Sequence, residues 1–167
     1  TERLMQLADL VVVTGSQTNV RAGYSSGTPA LGVGAGNVVS IVDETADIAD
    51  AAAKIAASKT FDNATSCSSE NAVIAVDAVY DKLVAALAAQ GGYCLDAAQT
   101  AHLEGIHWHN GKLTSKLLAK DIDVVLAETG FAGTAPANTG FLVAPQEEFG
   151  PDHPMTGEKM SRFLALH

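Results

Sequence analysis

Ser58-Lys59-Thr60-Phe61-Asp62-Asn63-Ala64-Thr65-Ser66-Cys67-Ser68-Ser69-Glu70 is a polar joint between two unlike neighbours. Before it, Ile48, Ala51, Ala52, Ile55 and Lys59 recur at helical spacing in an alanine-rich run, a narrow face of small residues suited to close packing on a sheet. After it, Asn71-Ala72-Val73-Ile74-Ala75-Val76 reads as a strand. The joint carries one thiol, Cys67. A connection held by two rigid elements and facing a cleft is where a nucleophile needs to sit.

Working outward, the same alternation continues. Upstream, Leu10 to Val13 reads as a buried strand, Gln17 to Tyr24 as a helix, and Ser25-Ser26-Gly27-Thr28-Pro29 as a turn. Ala30 to Val33 and Val38 to Val42 read as strands, broken by Gly34-Ala35-Gly36-Asn37. Asp43-Glu44-Thr45-Ala46-Asp47 then opens the alanine-rich helix, with carboxylates favoured by the macrodipole and Thr45 able to cap. Downstream, Asp77 is expected to cap a helix with the stripe Val79, Leu83, Val84 and Leu87, which Gly91-Gly92 ends. A further helix is expected from Leu95-Asp96 to about Leu103. Residues 104–111 read as irregular, 112–119 as helical, and 123–128 fits a helix or a strand. Gly140 to Ala144 and Phe163 to Leu166 complete the strands. Strands alternating with helices give an α/β layered fold.

A chain of 167 residues with 47% hydrophobic content suits about one domain with a sizeable core. Its net charge of −9 argues against nucleic acid and against an anionic membrane surface. No apolar run is long enough to span a bilayer, and none reads as a signal peptide. The pattern is already under way at Thr1, so a longer protein is expected. Cys67 and Cys94 read as reduced thiols of a cytoplasmic protein, and neither has zinc-site spacing. His107-Trp108-His109 lacks a third ligand at suitable spacing, so it reads as an exposed turn and no metal is expected. Gly32-Val33-Gly34-Ala35-Gly36 is a poor dinucleotide fingerprint, because a strand rather than a helix follows it.

Three motifs together resemble the CoA-acylating branch of the aldehyde dehydrogenase superfamily. They are Tyr24-Ser25-Ser26-Gly27-Thr28-Pro29-Ala30-Leu31-Gly32-Val33-Gly34-Ala35-Gly36-Asn37, then Asp43-Glu44-Thr45-Ala46-Asp47-Ile48, then Ser58-Lys59-Thr60-Phe61-Asp62-Asn63 with Cys67 four residues on. The likeness thins after residue 104 and returns at Gly157-Glu158-Lys159-Met160-Ser161. It implies a three-layer α/β/α catalytic domain with a mostly parallel sheet. Residues 1–32 would end a nucleotide-binding domain, and residues 33–167 would form the thiol-bearing catalytic domain.

The resemblance also implies roles. Cys67 would attack the aldehyde carbon to give a thiohemiacetal, hydride would pass to NAD or NADP, and the resulting thioester would be resolved by coenzyme A. A free thiol is only about 3% thiolate at pH 7, so the site must activate it. Thr14, Gly15 and Ser16 would line the cofactor, with Gly34 counted beside them. Glu158 would hold the nicotinamide ribose hydroxyls, whereas Glu147-Glu148-Phe149-Gly150-Pro151 imitates that motif. Ser66 and Ser68 would shape the aldehyde pocket. Arg162, where proline is common in the family, would add a cation suited to a sulfoacetaldehyde-type substrate; acetaldehyde is the other candidate. The oxyanion hole would use the Cys67 N–H and an asparagine lying before Thr1. Gly32 stands where hydrolytic members carry a glutamate base, which favours transfer to CoA over transfer to water. A homo-oligomer is expected, with the fragment inactive alone. A hydrolytic dehydrogenase, or a non-catalytic oligomerisation module, are the alternatives.

Overall fold

The computed structural model describes residues 1–34 and 36–167. They form two compact units, Thr1–Gly36 and Asn37–His167.

In the first unit, helix α1 (Glu2–Leu7) precedes strand β1 (Val11–Thr14), helix α2 (Gln17–Tyr24) and strand β2 (Ala30–Val33), with β1 and β2 parallel. Val11, Val13 and Val20 form its small core, with Met5, Ala8 and Ala30 against it. The expectation of a fully buried first strand is corrected: Val12 is 69% exposed. Side chains alternate across a strand, and α2 covers only one face of β1.

The second unit begins with strand β3 (Val38–Val42) and helix α3 (Ile48–Thr60). Asp47, not Thr45, caps α3: its carboxylate accepts the Asp50 N–H at 3.1 Å, while Asp43 holds the N–H and hydroxyl of Thr45. Strand β4 (Glu70–Ala75) follows, then helix α4 (Tyr80–Ala89), strand β5 (Gly92–Cys94) and helix α5 (Ala97–His107). Asp77 lies in a 3-10 turn ahead of α4 and makes no capping bond. Asp96 caps α5 through a reciprocal bond pair with Gln99. Strands β6 (Trp108–His109) and β7 (Lys112–Leu113) form a hairpin where a helix over 112–119 was expected. Asn110 and Gly111 both have positive φ, the pairing that a tight primed turn requires. Helix α6 (Ile122–Thr129), strand β8 (Phe141–Pro145) and strand β9 (Phe163–Leu166) complete the unit.

The sheet is parallel throughout, in the order β3-β4-β9-β8-β5. Successive residues of its central strands enter opposite layers. Phe141, Val143, Leu164 and Leu166 pack with Ile55, Leu83 and Leu87 from α3 and α4. Leu142, Ala144, Phe163 and Ala165 pack with Leu103, Val125 and Leu126 from α5 and α6. Burial on both faces is why β8 and β9 read as continuous apolar runs. Fully burying each leucine or phenylalanine is worth roughly 1.5–3 kcal/mol. No helix of the described residues is long and apolar enough to cross a membrane.

Candidate active site at the N-terminal edge of the sheet

Cys67 lies between α3 and β4, and Glu158 in the segment before β9. Because β4 and β9 are adjacent and parallel, with Ala72 opposite Ala165, the connections that precede them emerge at the same edge of the sheet. Topology thus brings together two segments about ninety positions apart in sequence.

The thiol loop begins with an uncommon backbone. Asp62, Asn63 and Ala64 have φ of 45°, 53° and 58°, three successive left-handed residues and none of them glycine. Thr65 steadies the turn by donating its hydroxyl to the Asp62 carbonyl at 2.7 Å and the Asp62 carboxylate at 2.8 Å. Ser69 N–H bonds Ser66 O at 3.0 Å, and the Ser66 and Ser68 hydroxyls bond each other at 2.8 Å. Cys67, between them, is exposed and free. Among the described residues, nothing accepts its backbone N–H. Cys94 is also free but half-buried, and burial pushes its thiol pKa up.

On the opposing loop, Glu158 is half-buried on the wall of a cleft of about 860 Å³, with Asn37, Glu104, Trp108, Asp152 and His153 among its neighbours there. Among the described residues nothing donates to its carboxylate, so both oxygens are free to accept. A carboxylate so placed suits a vicinal diol such as a ribose. The cleft lining does not include Cys67, Ser66 or Ser68.

Beneath these loops lies a buried basic group that sequence reading missed. Lys59 and Lys159 are fully buried. Lys59 Nζ donates to Glu70 O at 2.8 Å, and Lys159 Nζ to Met155 O and Gly157 O. Burial lowers both pKa values to about 7, against a small upward pull from Glu70 on Lys59 and with a further lowering of Lys159 by Lys59. The turn expected at His107 is corrected: His107 is fully buried, and Nε2–H donates to Lys159 O at 2.8 Å. Its place after Thr100 and Leu103 on one face of α5 was the available signal. Arg162 is corrected too. It is no spare cation, since Nε donates to Asn63 Oδ1 at 2.7 Å and a terminal nitrogen reaches Gly140 O at 3.5 Å.

The remaining candidates lie in the first unit. Thr14 ends β1, Gly15 has φ +110°, and Ser16 caps α2 by accepting the Asn19 N–H at 3.3 Å. Strand, glycine and helix N-terminus follow in the order that offers N–H groups to an anion. The glycine-rich stretch 32–36, of which Ala35 lies outside the described residues, falls instead from the end of β2 towards β3. The missing Cβ of Gly34 leaves room for the Gln17 carboxamide. A Cβ on Gly32 would meet Val20 at 2.7 Å and Tyr24 at 2.8 Å. Gly32→Ala is therefore expected to lower unfolding stability by about 1–3 kcal/mol in urea titrations, an overpacking cost. An unchanged midpoint would show that the side chains there give way freely.

No family model matches the chain. It is 48% identical over all 167 residues to a sulfoacetaldehyde dehydrogenase (acylating) of Cupriavidus necator, of which it spans 34%. It is 44% identical over 161 residues to the same-named protein of Bilophila wadsworthia, covering 93% of this chain and 33% of that one. With a bifunctional aldehyde-alcohol dehydrogenase of Escherichia coli it shares 38% over 159 residues, 95% of this chain and 18% of the other. The chain thus spans about a third or less of the length of these curated relatives. Among solved structures, an acetylating aldehyde dehydrogenase of Geobacillus thermoglucosidasius superposes with a TM-score of 0.92 at 38% identity, over 99% of this chain and 36% of that one. A propionaldehyde dehydrogenase of Rhodopseudomonas palustris, solved with bound CoA and an acylated cysteine, superposes at 0.86 with 29% identity over 98% and 38%. An engineered glycolyl-CoA reductase with bound NADP+ also reaches 0.86, at 30% identity over 98% and 37%.

Proposed function

From the premise that this chain is a homologue of the acylating aldehyde dehydrogenases, matching one segment of them, we propose that it is the thiol-bearing part of an enzyme converting a short aldehyde and CoA to acyl-CoA. The observation that carries the reading is an exposed, unpaired thiol in a polar turn, within a chain 48% identical from end to end to such an enzyme. Residues 1–32 would end the nucleotide-binding domain and residues 33–167 would form the catalytic domain, a division supported by the nearby boundary between the compact units Thr1–Gly36 and Asn37–His167.

Cys67 Sγ attacks the aldehyde carbon, and the carbonyl oxygen takes up the negative charge. The free N–H of Cys67 suits that oxygen as a donor. NAD or NADP, when bound, supplies the hydride acceptor that turns the thiohemiacetal into a thioester. Glu158 would hold its ribose hydroxyls, and Thr14, Gly15 and Ser16 would lie along it. The thioester carbon is then attacked by the CoA thiol, and Cys67 leaves as thiolate. A glycine at position 32, closed in by Val20 and Tyr24, gives water no carboxylate base from that position.

A sulfoacetaldehyde-type substrate is favoured by curated relatives named for that activity, and no longer by Arg162. The test is aldehyde-dependent NADH or NADPH formation by the full-length protein, with and without CoA, for sulfoacetaldehyde and acetaldehyde. Turnover is expected to require CoA. Equal rates without it would remove the acylating assignment and favour hydrolysis.

A further inference from the structure

Two asparagines flank the thiol symmetrically, and both reach the loop of Glu158. Asn63, four residues before Cys67, accepts Arg162 Nε–H on its Oδ1 at 2.7 Å and donates from Nδ2 to Asp121 Oδ1 at 2.9 Å. Asn71, four residues after Cys67 and buried, accepts the Lys159 backbone N–H at 3.0 Å. Lys159 and Arg162 stand one and four residues beyond Glu158. Each end of the thiol loop is thus tied by one side chain to the segment that presents the carboxylate.

We propose that Asn63 and Asn71 are positioning residues that hold the Cys67 loop in register with the Glu158 loop for hydride transfer. The inference rests on reading Cys67 as nucleophile and Glu158 as cofactor ligand.

The backbone supports it. Six non-glycine residues among those described have positive φ: Asp62, Asn63, Ala64, Asn110, Ala119 and Met160. Asn110 belongs to the β6–β7 hairpin turn. The other five all lie in the segments joined by these ties, where Ala119 N–H also bonds Met160 O at 3.0 Å and Ser161 Oγ bonds Leu117 O at 2.9 Å. Left-handed alanine and methionine are unfavourable conformations, which persist where surrounding contacts over-determine them. Hydride transfer demands such precision: the reacting atoms must lie about 3–3.5 Å apart, and a 1 Å error can cost about a hundredfold. Alkylation of the thiol by a small reagent makes no such demand.

Three variants of the full-length protein test the proposal. Asn63→Gly removes the side-chain ties while leaving positive φ comfortable. Asn71→Leu removes the acceptor at nearly constant volume, and Asn71→Asp restores one. For Asn63→Gly and Asn71→Leu, kcat for CoA-dependent NAD(P)H formation is expected to fall about 10- to 100-fold. The cofactor KM and the rate of Cys67 alkylation by iodoacetamide should stay within about threefold, because the lost interaction acts in the transition state. Asn71→Asp should recover most of kcat. Unchanged kcat in both variants overturns the proposal, and so does a fall in alkylation that parallels kcat. An aspartate variant as slow as the leucine one also counts against it. Should Asn71→Leu not fold, the half-buried Asn63→Gly decides the same split. Complete alkylation of Cys67 with activity retained would instead remove the nucleophile reading, and the inference with it.

Discussion

Cys67→Ser is expected to lower aldehyde-dependent NAD(P)H formation by about a thousandfold or more while leaving the fold intact. In the proposed chemistry the sulfur attacks as an anion and later leaves as one. A serine hydroxyl is far less acidic, so it is both a scarcer nucleophile and a poorer leaving group. Losing a nucleophile outright costs orders of magnitude in turnover. The structural cost should be small, because Cys67 is exposed and surface substitutions usually stay within about 0.5 kcal/mol. Cys94→Ser supplies the contrast. Cys94 is half-buried against the core shared by α3 and α4, so its hydroxyl variant should reduce stability by about 1 kcal/mol and leave turnover nearly unchanged. Activity within tenfold of the parent in Cys67→Ser would end the proposed chemistry. So would a Cys94→Ser protein that stays folded and loses turnover.

How far the sequence carries this site depends on the range of the interactions involved. Strands β8 and β9 were legible because a parallel sheet covered on both faces is written as unbroken apolar runs. The second layer assignment, Phe141 one way and Leu142 the other, needs the sheet itself. The hairpin after α5 was legible in principle from Asn110-Gly111, yet the lysine-rich stretch that follows imitates a helix. Cys67 by itself is an ordinary polar-loop cysteine, and the motif resemblance around it singled it out. The neighbourhood of Cys67 was not legible. Asp62 and Asn63 tolerate left-handed backbone, but nothing local marks Ala64 to adopt it. The ties from Asn63 to Arg162 and from Asn71 to Lys159 span 99 and 88 positions. Only the pairing of β4 with β9 brings those partners together, and no local periodicity encodes a strand order of β3-β4-β9-β8-β5. Arg162 looked like a free cation for the same reason, because its partner lies in another segment.

Acidification from pH 7.5 to 5 is expected to cost the protein about 2 kcal/mol of unfolding stability through His107 alone. His107 closes α5 against the Glu158 loop, edge-on to Trp108 at 4.5 Å and to Phe163 at 4.8 Å. Burial pushes its pKa down to about 4; the bond to Lys159 O opposes the shift, and the charges of Lys159 and Lys59 reinforce it. The unfolded chain takes up this proton near pH 6.5, whereas the folded chain resists until about pH 4. Between those values the unfolded state binds more protons, so stability falls as pH falls. Lys59 and Lys159 act in the same direction at higher pH. Folded, they release protons near pH 7; unfolded, they hold them to about 10.5, so stability rises with pH across that interval. His107→Leu separates these contributions. At pH 7.5 it should cost about 1–3 kcal/mol by leaving Lys159 O without its donor. From pH 7.5 to 5 the variant should lose about 2 kcal/mol less than the parent, since the lysine contribution is common to both. Urea unfolding of both proteins at the two pH values measures the difference. Parallel losses in parent and variant would mean that His107 titrates freely and does not hold α5 to the carboxylate loop as a neutral donor.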